Sequence, residues 1–267
     1  MIKVGVVGIG GRMGALICKR VINAPDMELA GALEKDGHPI IGKDAGMVLG
    51  IGHQGVSITS DCSLSFKDAS VIIDFSIPEA SVSHLGFAAK AGKAMVIGTT
   101  GFSNEERSII ENLAAKTPVV MSPNMSIGVN VMFKVAGLMA ELLDNSYDAE
   151  IIEAHHRHKK DAPSGTAKRL AIEVAKARGI DLDRCARYER YGIIGERPAD
   201  EIGIQTIRAG DIVGEHTLIF AGSGERLELS HKATSRENFA LGALRAARWI
   251  ADRKPGLYTM ADVLAFK

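Results

Sequence analysis

A dense group of ionisable side chains occupies residues 155–166, HHRHKKDAPSGT. Three imidazoles, one guanidinium and two ammonium groups precede an aspartate and a Pro-Ser-Gly-Thr turn. Imidazole changes its protonation near physiological pH and can transfer protons, whereas clustered cations bind anions. The group could therefore hold a metal, transfer a proton or bind an anion, and it could also be a solvated charged loop.

The residues on either side of this cluster favour an anion site over a metal site. His155 and His156 are adjacent at the end of a predicted strand, so their side chains should diverge, and no second zinc-ligand motif accompanies them. Ser164 can cap a helix whose first turn carries the backbone amides of Gly165 and Thr166. A helix N-terminus beside several cations attracts a carboxylate. We therefore expect an anionic substrate beside an acid–base histidine, facing a reduced nicotinamide, with no metal.

A glycine-rich turn near the N-terminus, VGVVGIGGRMG (4–14), is the candidate phosphate-binding segment. The strict G-x-G-x-x-G pattern fails because position 13 is Met13, but Gly8, Gly11 and Gly14 form G-x-x-G-x-x-G. The turn follows a predicted strand and opens a predicted helix, whose N-terminal amides favour a pyrophosphate. Arg12 would add a formal positive charge.

The next predicted strand ends at Glu34, twenty positions after Gly14. A carboxylate at this point should accept hydrogen bonds from the adenosine ribose and should repel a 2′-phosphate. The adjacent Lys35 should attract that phosphate. The pair predicts use of both NADH and NADPH, and the alternative is an ordinary exposed glutamate at a strand end.

Two further segments, IGTTGF (97–102) and MSPNMSIG (121–128), each follow a predicted strand. The carboxyl ends of strands line the ligand crevice of an open α/β sheet. Their small hydroxyl residues and backbone amides could contact the nicotinamide and its ribose, although a plain turn role is equally consistent.

The pattern of elements predicts how these segments are positioned. Strand-like runs alternate with helical stretches as far as residue 124, which predicts a doubly wound parallel α/β sheet. The strand-like runs lie at residues 2–9, 27–34, 69–76, 93–100 and 117–124.

The pattern changes in the second half of the chain. A long helix, a strand (147–156) and a second helix precede three strand-like runs, at 201–209, 213–222 and 225–233. The turns GDIVG and GSGE join these runs, which predicts an α+β domain with a largely antiparallel sheet. A final helix opened by Ser235 should return to the first domain. The predicted domains are residues 1–126 completed by 235–267, and residues 127–234.

Composition excludes several classes of function. Lys plus Arg equals Asp plus Glu at 32 each, so no net charge draws the chain to nucleic acid or to a membrane surface. Cys18, Cys62 and Cys185 are too few and too scattered for a disulfide framework. We expect the first residues to form a strand and not a signal peptide, and the sequence has no apolar run of about 18 residues, so the expected location is the cytoplasm.

The segment EAHHRHKKDAPSGTA (153–167) resembles the signature of the 4-hydroxy-tetrahydrodipicolinate reductases, also called dihydrodipicolinate reductases. The resemblance spans the chain through GIGGRMG (8–14), DFS (74–76), GTTGF (98–102), SPNMSIGVN (122–130) and GLYTMADVL (256–264). It implies a Rossmann-like nucleotide domain and a central domain that binds substrate and forms a homotetramer through its sheet. The implied reaction is NADH- or NADPH-dependent reduction of a cyclic imine with two carboxylates, in the diaminopimelate route to lysine.

Carried over residue by residue, the resemblance implies that His155 is the acid–base residue and Lys159 the proton donor. His156, Gly165 and Thr166 would bind the substrate. The cofactor would contact Gly8, Ile9, Gly10, Gly11, Arg12, Met13, Glu34, Lys35, Gly98, Thr99, Thr100, Ser122, Pro123, Asn124 and Met125. The family often has Arg in place of Lys35 and in several members Phe in place of Met125, so NADPH preference and nicotinamide packing should differ here. No role is implied for Arg157, His158 or Lys160.

Two alternatives share the glycine turn. One is another two-domain NAD(P)-dependent oxidoreductase of amino or imino acids, such as an aspartate dehydrogenase, which should lack HHRHKxDAPSGT. The other is a non-catalytic NAD(P)H sensor, which leaves the histidine cluster and the Ser-Gly-Thr helix start unexplained.

Overall fold

The computed structural model describes residues 1–266, which form two compact units. The first unit comprises Met1–Ile127 and the chain from Glu237 onward, and the second comprises Gly128–Arg236. Within residues 1–266, none of the helices has the length and apolar character needed to span a bilayer.

A seven-stranded parallel sheet forms the centre of the first unit, as the alternating pattern predicts. Its strands are β1 (Ile2–Val7), β2 (Met27–Leu33), β3 (Ile58–Thr59), β4 (Val71–Asp74), β5 (Ala94–Ile97), β6 (Pro118–Met121) and β12 (Gly256–Tyr258). The strand order is β12-β6-β5-β4-β1-β2-β3, so the direction of winding reverses between β1 and β4. Ligands of such sheets bind at the carboxyl ends beside this reversal. The short edge strands β3 and β12 were not predicted.

Helices cover both faces of this sheet. They are α1 (Arg12–Ile22), α2 (Ala45–Leu49), α3 (Cys62–Ser65), α4 (Pro78–Ala91), α5 (Asn104–Ala114), α9 (Glu237–Ile250) and α10 (Met260–Val263). Successive strand residues point to opposite faces. Val6 accordingly packs into the core with α1 and α9, whereas Val7 packs into the core with α4 and α5. The first unit is therefore a three-layer, Rossmann-like α/β fold.

A five-stranded mixed sheet forms the second unit, in the order β11-β10-β7-β9-β8. Its strands are β7 (Asp148–His155), β8 (Ala186–Arg187), β9 (Ile202–Arg208), β10 (Gly214–Ala221) and β11 (Arg226–Ala233). Its helices are α6 (Ile127–Leu142), α7 (Gly165–Arg178) and the short α8 (Leu182–Cys185), with a 3-10 turn at Asp144–Ser146. The apolar faces of α6 and α7 pack on one face of the sheet, which gives a two-layer α+β unit.

The second sheet differs in one pairing from what the turns GDIVG and GSGE imply. β10 pairs with β11 in antiparallel register across the turn GSGE, as predicted. β9 and β10 do not pair, because β7 lies between them, antiparallel to β10 and parallel to β9. The turn signal GDIVG marks a reversal of the chain but not which strands become neighbours. The residues between β9 and β10 can cross one intervening strand, a span of roughly 10 Å.

Helix α9 packs with α1 on the sheet of the first unit. It begins at Glu237, so Arg236 and not the predicted Ser235 directly precedes it. Its inner face carries small residues, and a Cβ atom on Gly242 would stand 1.7 Å from the carbonyl oxygen of Met125. The helix therefore approaches the loop after β6 at a distance that only glycine permits.

We expect Gly242→Ala to destabilise the protein by about 1–3 kcal/mol, because the added methyl group overlaps backbone that has no flexible side chain to yield. The matched control is Gly86→Ala in α4, where a Cβ atom would meet no atom within 4 Å. There the change should be neutral or should stabilise by about 0.5–1 kcal/mol through helix propensity. Urea unfolding of both variants measures the difference, and equal effects would contradict the close approach of α9.

Candidate active site

The glycine turn of the first unit forms a compact cradle at the end of β1. Gly8 has a φ of +70°, and its carbonyl oxygen accepts a hydrogen bond of 2.9 Å from Gly11 N–H. A Cβ atom on Gly14 would lie 2.0 Å from that same oxygen, so the turn and α1 require glycine at both ends. Gly11 is the N-cap of α1 and supplies no side-chain cap. The first-turn amides therefore face outward, as a bound phosphate requires.

The carboxylate of Glu34 lies directly against this turn. Its Oε2 accepts a hydrogen bond of 2.8 Å from Gly10 N–H, and its Oε1 accepts one of 3.0 Å from Lys35 N–H. The contact to Gly10 arises because β1 and β2 are parallel neighbours whose carboxyl ends meet at one edge. A carboxylate and a phosphate cradle in this arrangement fit the adenosine half of a dinucleotide.

The other two predicted cofactor segments follow β5 and β6 at the same edge of the sheet. Gly98 leaves room for the Phe75 ring, which a Cβ atom would approach to 2.2 Å. The buried Thr99 accepts a hydrogen bond of 2.7 Å from Ser81 Oγ, and Ser122 Oγ donates to the carbonyl oxygen of Asn124 at 2.9 Å.

Two of the predicted cofactor residues differ sharply in exposure. Met125 is 1% exposed and its side chain packs in the core. Thr100, in contrast, is exposed.

Sequence analysis missed the support that β4 provides at this edge. Asp74 is fully buried, accepts a hydrogen bond from Ser76 N–H at 2.8 Å and contacts His84 Nδ1 at 2.8 Å. These contacts hold the chain after β4 beside the segment that contains Gly98.

A buried carboxylate, that of Glu153, organises the site of the second unit. Glu153 and His155 are two residues apart on β7 and therefore share one face of the sheet. Glu153 Oε2 lies 2.6 Å from His155 Nδ1. Arg208, at the end of β9, donates to both carboxylate oxygens at 2.8 Å, and Ser164 N–H donates to Oε1 at 2.9 Å.

This environment keeps Glu153 ionised. Burial alone would raise the pKa of the Glu153 carboxyl, but hydrogen bonds from His155, Arg208 and Ser164 outweigh it and hold that pKa well below its usual range. Because Glu153 contacts Nδ1 of His155, the opposite nitrogen, Nε2, is the one that can exchange a proton with a ligand. A Cβ atom on Gly214 would stand 3.0 Å from this nitrogen, so a side chain there would crowd it.

A second histidine packs beside His155. The ring of His216 contacts the ring of His155 edge to face at 5.1 Å, and its Nε2 lies 3.0 Å from Ser164 Oγ. Burial, and then the neighbouring His155, lower the pKa of His216 to about 3, so His216 is neutral at physiological pH. Ser164 Oγ also accepts from Ala167 N–H at 3.2 Å, which confirms the predicted helix cap.

The predicted substrate residues surround this network. Gly165 and Thr166 are the first two residues of α7, where backbone N–H groups point out of the helix end. Lys159 Nζ lies 2.8 Å from Asp161 Oδ1. Burial, and then the positive charge of Arg236, lower the pKa of His156. The second unit thus joins His155, through Glu153, to the Arg208 guanidinium and to the residue that caps α7.

Sequence analysis missed three members of this site: Glu153, Arg208 and His216. Glu153 could have been found, because its spacing of two from His155 on a predicted strand indicates a shared face. The other two come from later strands, and nothing in their local sequence indicates that they reach β7. Arg157, His158 and Lys160 are exposed.

Comparison with known proteins gives a consistent result along the whole chain. The family model for the dihydrodipicolinate reductase N-terminus matches residues 2–125, and the model for the C-terminus matches residues 128–264. The chain is 53% identical to the 4-hydroxy-tetrahydrodipicolinate reductase of Syntrophus aciditrophicus (strain SB) over 267 residues, which is 100% of both chains. It is 49% identical to the enzyme of the same name from Citrifermentans bemidjiense, also over 100% of both chains. The structure of dipicolinate-bound dihydrodipicolinate reductase from Paenisporosarcina sp. TG-14 is 26% identical, with a TM-score of 0.76 over 98% of each chain.

We expect Glu153→Gln to destabilise the protein by about 3 kcal/mol, because it removes the buried partner of an ion pair and leaves the half-buried Arg208 guanidinium without its counter-ion. The matched control is Glu228→Gln, which removes an exposed partner of Arg226 and should cost less than about 1 kcal/mol. Urea unfolding near neutral pH measures both changes.

The pH dependence has a definite sign. A carboxyl whose pKa is lowered by folding stabilises the native state above its unfolded pKa of about 4.5, and that stability is lost as the pH falls through the folded value. The difference between wild type and Glu153→Gln should therefore persist near pH 5 and shrink only in stronger acid. A difference that disappears between about pH 7 and pH 5 would contradict the buried ion pair.

Proposed function

The chain belongs to the dihydrodipicolinate reductase family, and we propose that it reduces 4-hydroxy-tetrahydrodipicolinate, through dihydrodipicolinate, to tetrahydrodipicolinate. The reaction lies in the diaminopimelate route to lysine, and family members use NADH or NADPH. The single observation that carries the proposal is the buried Glu153 carboxylate, which joins an acid–base histidine to the first turn of α7.

The charges of the second unit suit a substrate with two carboxylates. His156, Gly165 and Thr166 bind the substrate in this proposal, and Arg236 adds a guanidinium beside His156. The relative from Paenisporosarcina sp. TG-14 was solved with dipicolinate, a ring that carries two carboxylates, which supports the same class of ligand here. Cations and helix N–H groups bind carboxylates strongly.

The first unit fits a dinucleotide cofactor. The cradle formed by Gly8 and Gly14 would hold the pyrophosphate, and Glu34 with Lys35 would contact the adenosine ribose. The remaining contacts would come from residues 9–13, 98–100 and 122–125. When bound, NADH or NADPH supplies the hydride that reduces the substrate ring at C4.

The residues of the second unit then have separate chemical roles. Glu153 holds Nδ1 of His155, so that Nε2 exchanges protons with the substrate. Lys159, held by Asp161, donates the proton that the reduced ring takes up at carbon. The cationic residues also stabilise the negative charge that reaches the ring nitrogen as C4 is reduced.

The two alternatives are not favoured. The two relatives described above match the chain over its full length, and both are named 4-hydroxy-tetrahydrodipicolinate reductase. They indicate neither an amino-acid dehydrogenase of another family nor a non-catalytic sensor. A sensor would also have no use for a neutral His216 and an ionised Glu153 around His155.

The second unit also carries the surface through which we propose that four copies of the chain assemble. The face of its sheet opposite α6 and α7 presents partly exposed apolar residues on three neighbouring strands, among them Ile152, Ile207 and Ile219. The adjoining loop exposes Tyr191 and Ile193 almost completely. Exposed apolar surface of this kind is typical of subunit interfaces.

In the coupled assay, freshly made product of dihydrodipicolinate synthase is mixed with the protein and NADPH, and absorbance is followed at 340 nm. His155→Ala should lower kcat by ~10²–10⁴ with less effect on KM, as expected for a general acid–base residue. Lys159→Ala should also lower kcat strongly. The control is Lys160→Ala, which removes a neighbouring exposed ammonium and should change kcat by less than about threefold.

Each outcome of this assay has a separate meaning. Wild-type turnover by the His155 variant would remove His155 from the mechanism. A Lys159 variant that lost only affinity would make Lys159 a binding residue. A wild-type chain without turnover would overturn the proposed function.

Sedimentation equilibrium tests the assembly. The wild-type protein should have a mass near four times the chain mass of 28.4 kDa. Ile207→Glu should shift the distribution to smaller species, because it buries an unpaired charge in the interface. Leu138→Glu, at an exposed position on α6, should not. A monomeric wild type, or equal effects of the two variants, would contradict the proposed interface.

A further inference from the structure

The loop after β2 carries a histidine, His38, that the proposed reaction does not use. A turn from Lys35 to His38 shapes this loop, and His38 N–H donates to the carbonyl oxygen of Lys35 at 3.2 Å. Gly37 has a φ of +72° in this turn, a conformation that favours glycine. The turn directs the half-buried imidazole back toward the glycine cradle.

The imidazole and the Glu34 carboxylate flank the same backbone atom. A Cβ atom on Gly10 would stand 3.0 Å from Glu34 Oε2 and 3.1 Å from His38 Nε2. Ile40 N–H points at His38 Nδ1 from 3.4 Å, which makes Nδ1 the acceptor and leaves the proton on Nε2. His38 therefore presents an N–H donor at the point where Glu34 reaches the cradle.

The charges around His38 indicate which group its Nε2–H donor could bind. Both oxygens of Glu34 already accept backbone N–H groups, from Gly10 and Lys35, so the carboxylate is fixed in place. Asp36 turns away and accepts from Ser60 Oγ at 3.3 Å. A phosphate on the ribose that Glu34 contacts would meet a fixed negative charge, and Lys35 alone would have to offset it.

We propose that His38 is a second ligand for the 2′-phosphate of NADPH and thereby sets the selectivity between NADPH and NADH. The inference rests on the proposed contacts of Glu34 and Lys35 with the adenosine ribose. His38 Nε2–H donates to a phosphate oxygen, and a hydrogen bond to an ionised acceptor of this kind is stronger than one between neutral groups. Lys35 and His38, three residues apart in one turn, then bracket the phosphate that Glu34 disfavours.

Isothermal titration calorimetry of the full chain with 2′,5′-ADP and with 5′-AMP tests this directly, because the two nucleotides differ only in the 2′-phosphate. His38→Gln should weaken 2′,5′-ADP about tenfold, the size expected for one charge-assisted hydrogen bond. Its effect on 5′-AMP should be much smaller. His38→Arg restores an N–H donor, with a positive charge, and should recover 2′,5′-ADP binding. The control is His53→Gln, an exposed histidine of the same unit, which should change neither affinity.

The kinetic counterpart is the ratio of kcat/KM for NADPH to that for NADH, which should fall by the same factor in His38→Gln. Equal weakening of both nucleotides would overturn the inference, because it would mean that the ring packs on the adenosine. Unchanged affinities would overturn it as well. The binding measurements need no substrate, so a chain that binds 2′,5′-ADP through His38 but reduces nothing would refute the proposed reaction and leave this inference standing.

Discussion

The buried charge of Glu153 is the constraint on which the second unit depends. A carboxylate with no exposed surface is costly unless partners replace its lost water. Those partners come from separate parts of the chain: His155 on β7, Arg208 on β9 and Ser164 at the start of α7. The hydrogen bonds that compensate for the burial of this charge also determine which nitrogen of His155 can exchange a proton. They also fix the residue at which α7 begins. Stability and chemistry therefore share one set of hydrogen bonds.

The two units use the start of a helix in different ways. The N-cap of α1 is Gly11, which has no side chain to occupy the first-turn amides, and the cradle beside it suits a large anion such as a pyrophosphate. The N-cap of α7 is Ser164, whose hydroxyl accepts from Ala167 N–H while its own N–H donates to Glu153. Two of the N–H groups at that helix end already have partners within the protein. The remaining groups suit a smaller anion in a defined orientation, such as a carboxylate. The difference follows from a single residue at each cap.

Many features of the two units can be predicted from the sequence because they depend on local patterns. The parallel sheet of the first unit follows from apolar runs that alternate with helices, and the cap at Ser164 follows from its hydroxyl before a helical stretch. The largely antiparallel sheet predicted for the second unit is confirmed, but β9 and β10, which the turn GDIVG joins, are not neighbours because β7 lies between them. Turn residues specify that the chain reverses, whereas the choice of neighbour depends on which strand can bury its face.

By itself, the sequence determined the two kinds of element pattern, the glycine turn, the family resemblance and the residues that lie within one motif, His155 to Thr166. These depend on spacings of a few residues, which are set by helix and strand geometry. Only the tertiary structure decided that Arg208 reaches Glu153, that His216 packs against His155, and that His38 returns to Gly10. These contacts join residues whose separation along the chain carries no information about distance, because strand order and loop path bring them together.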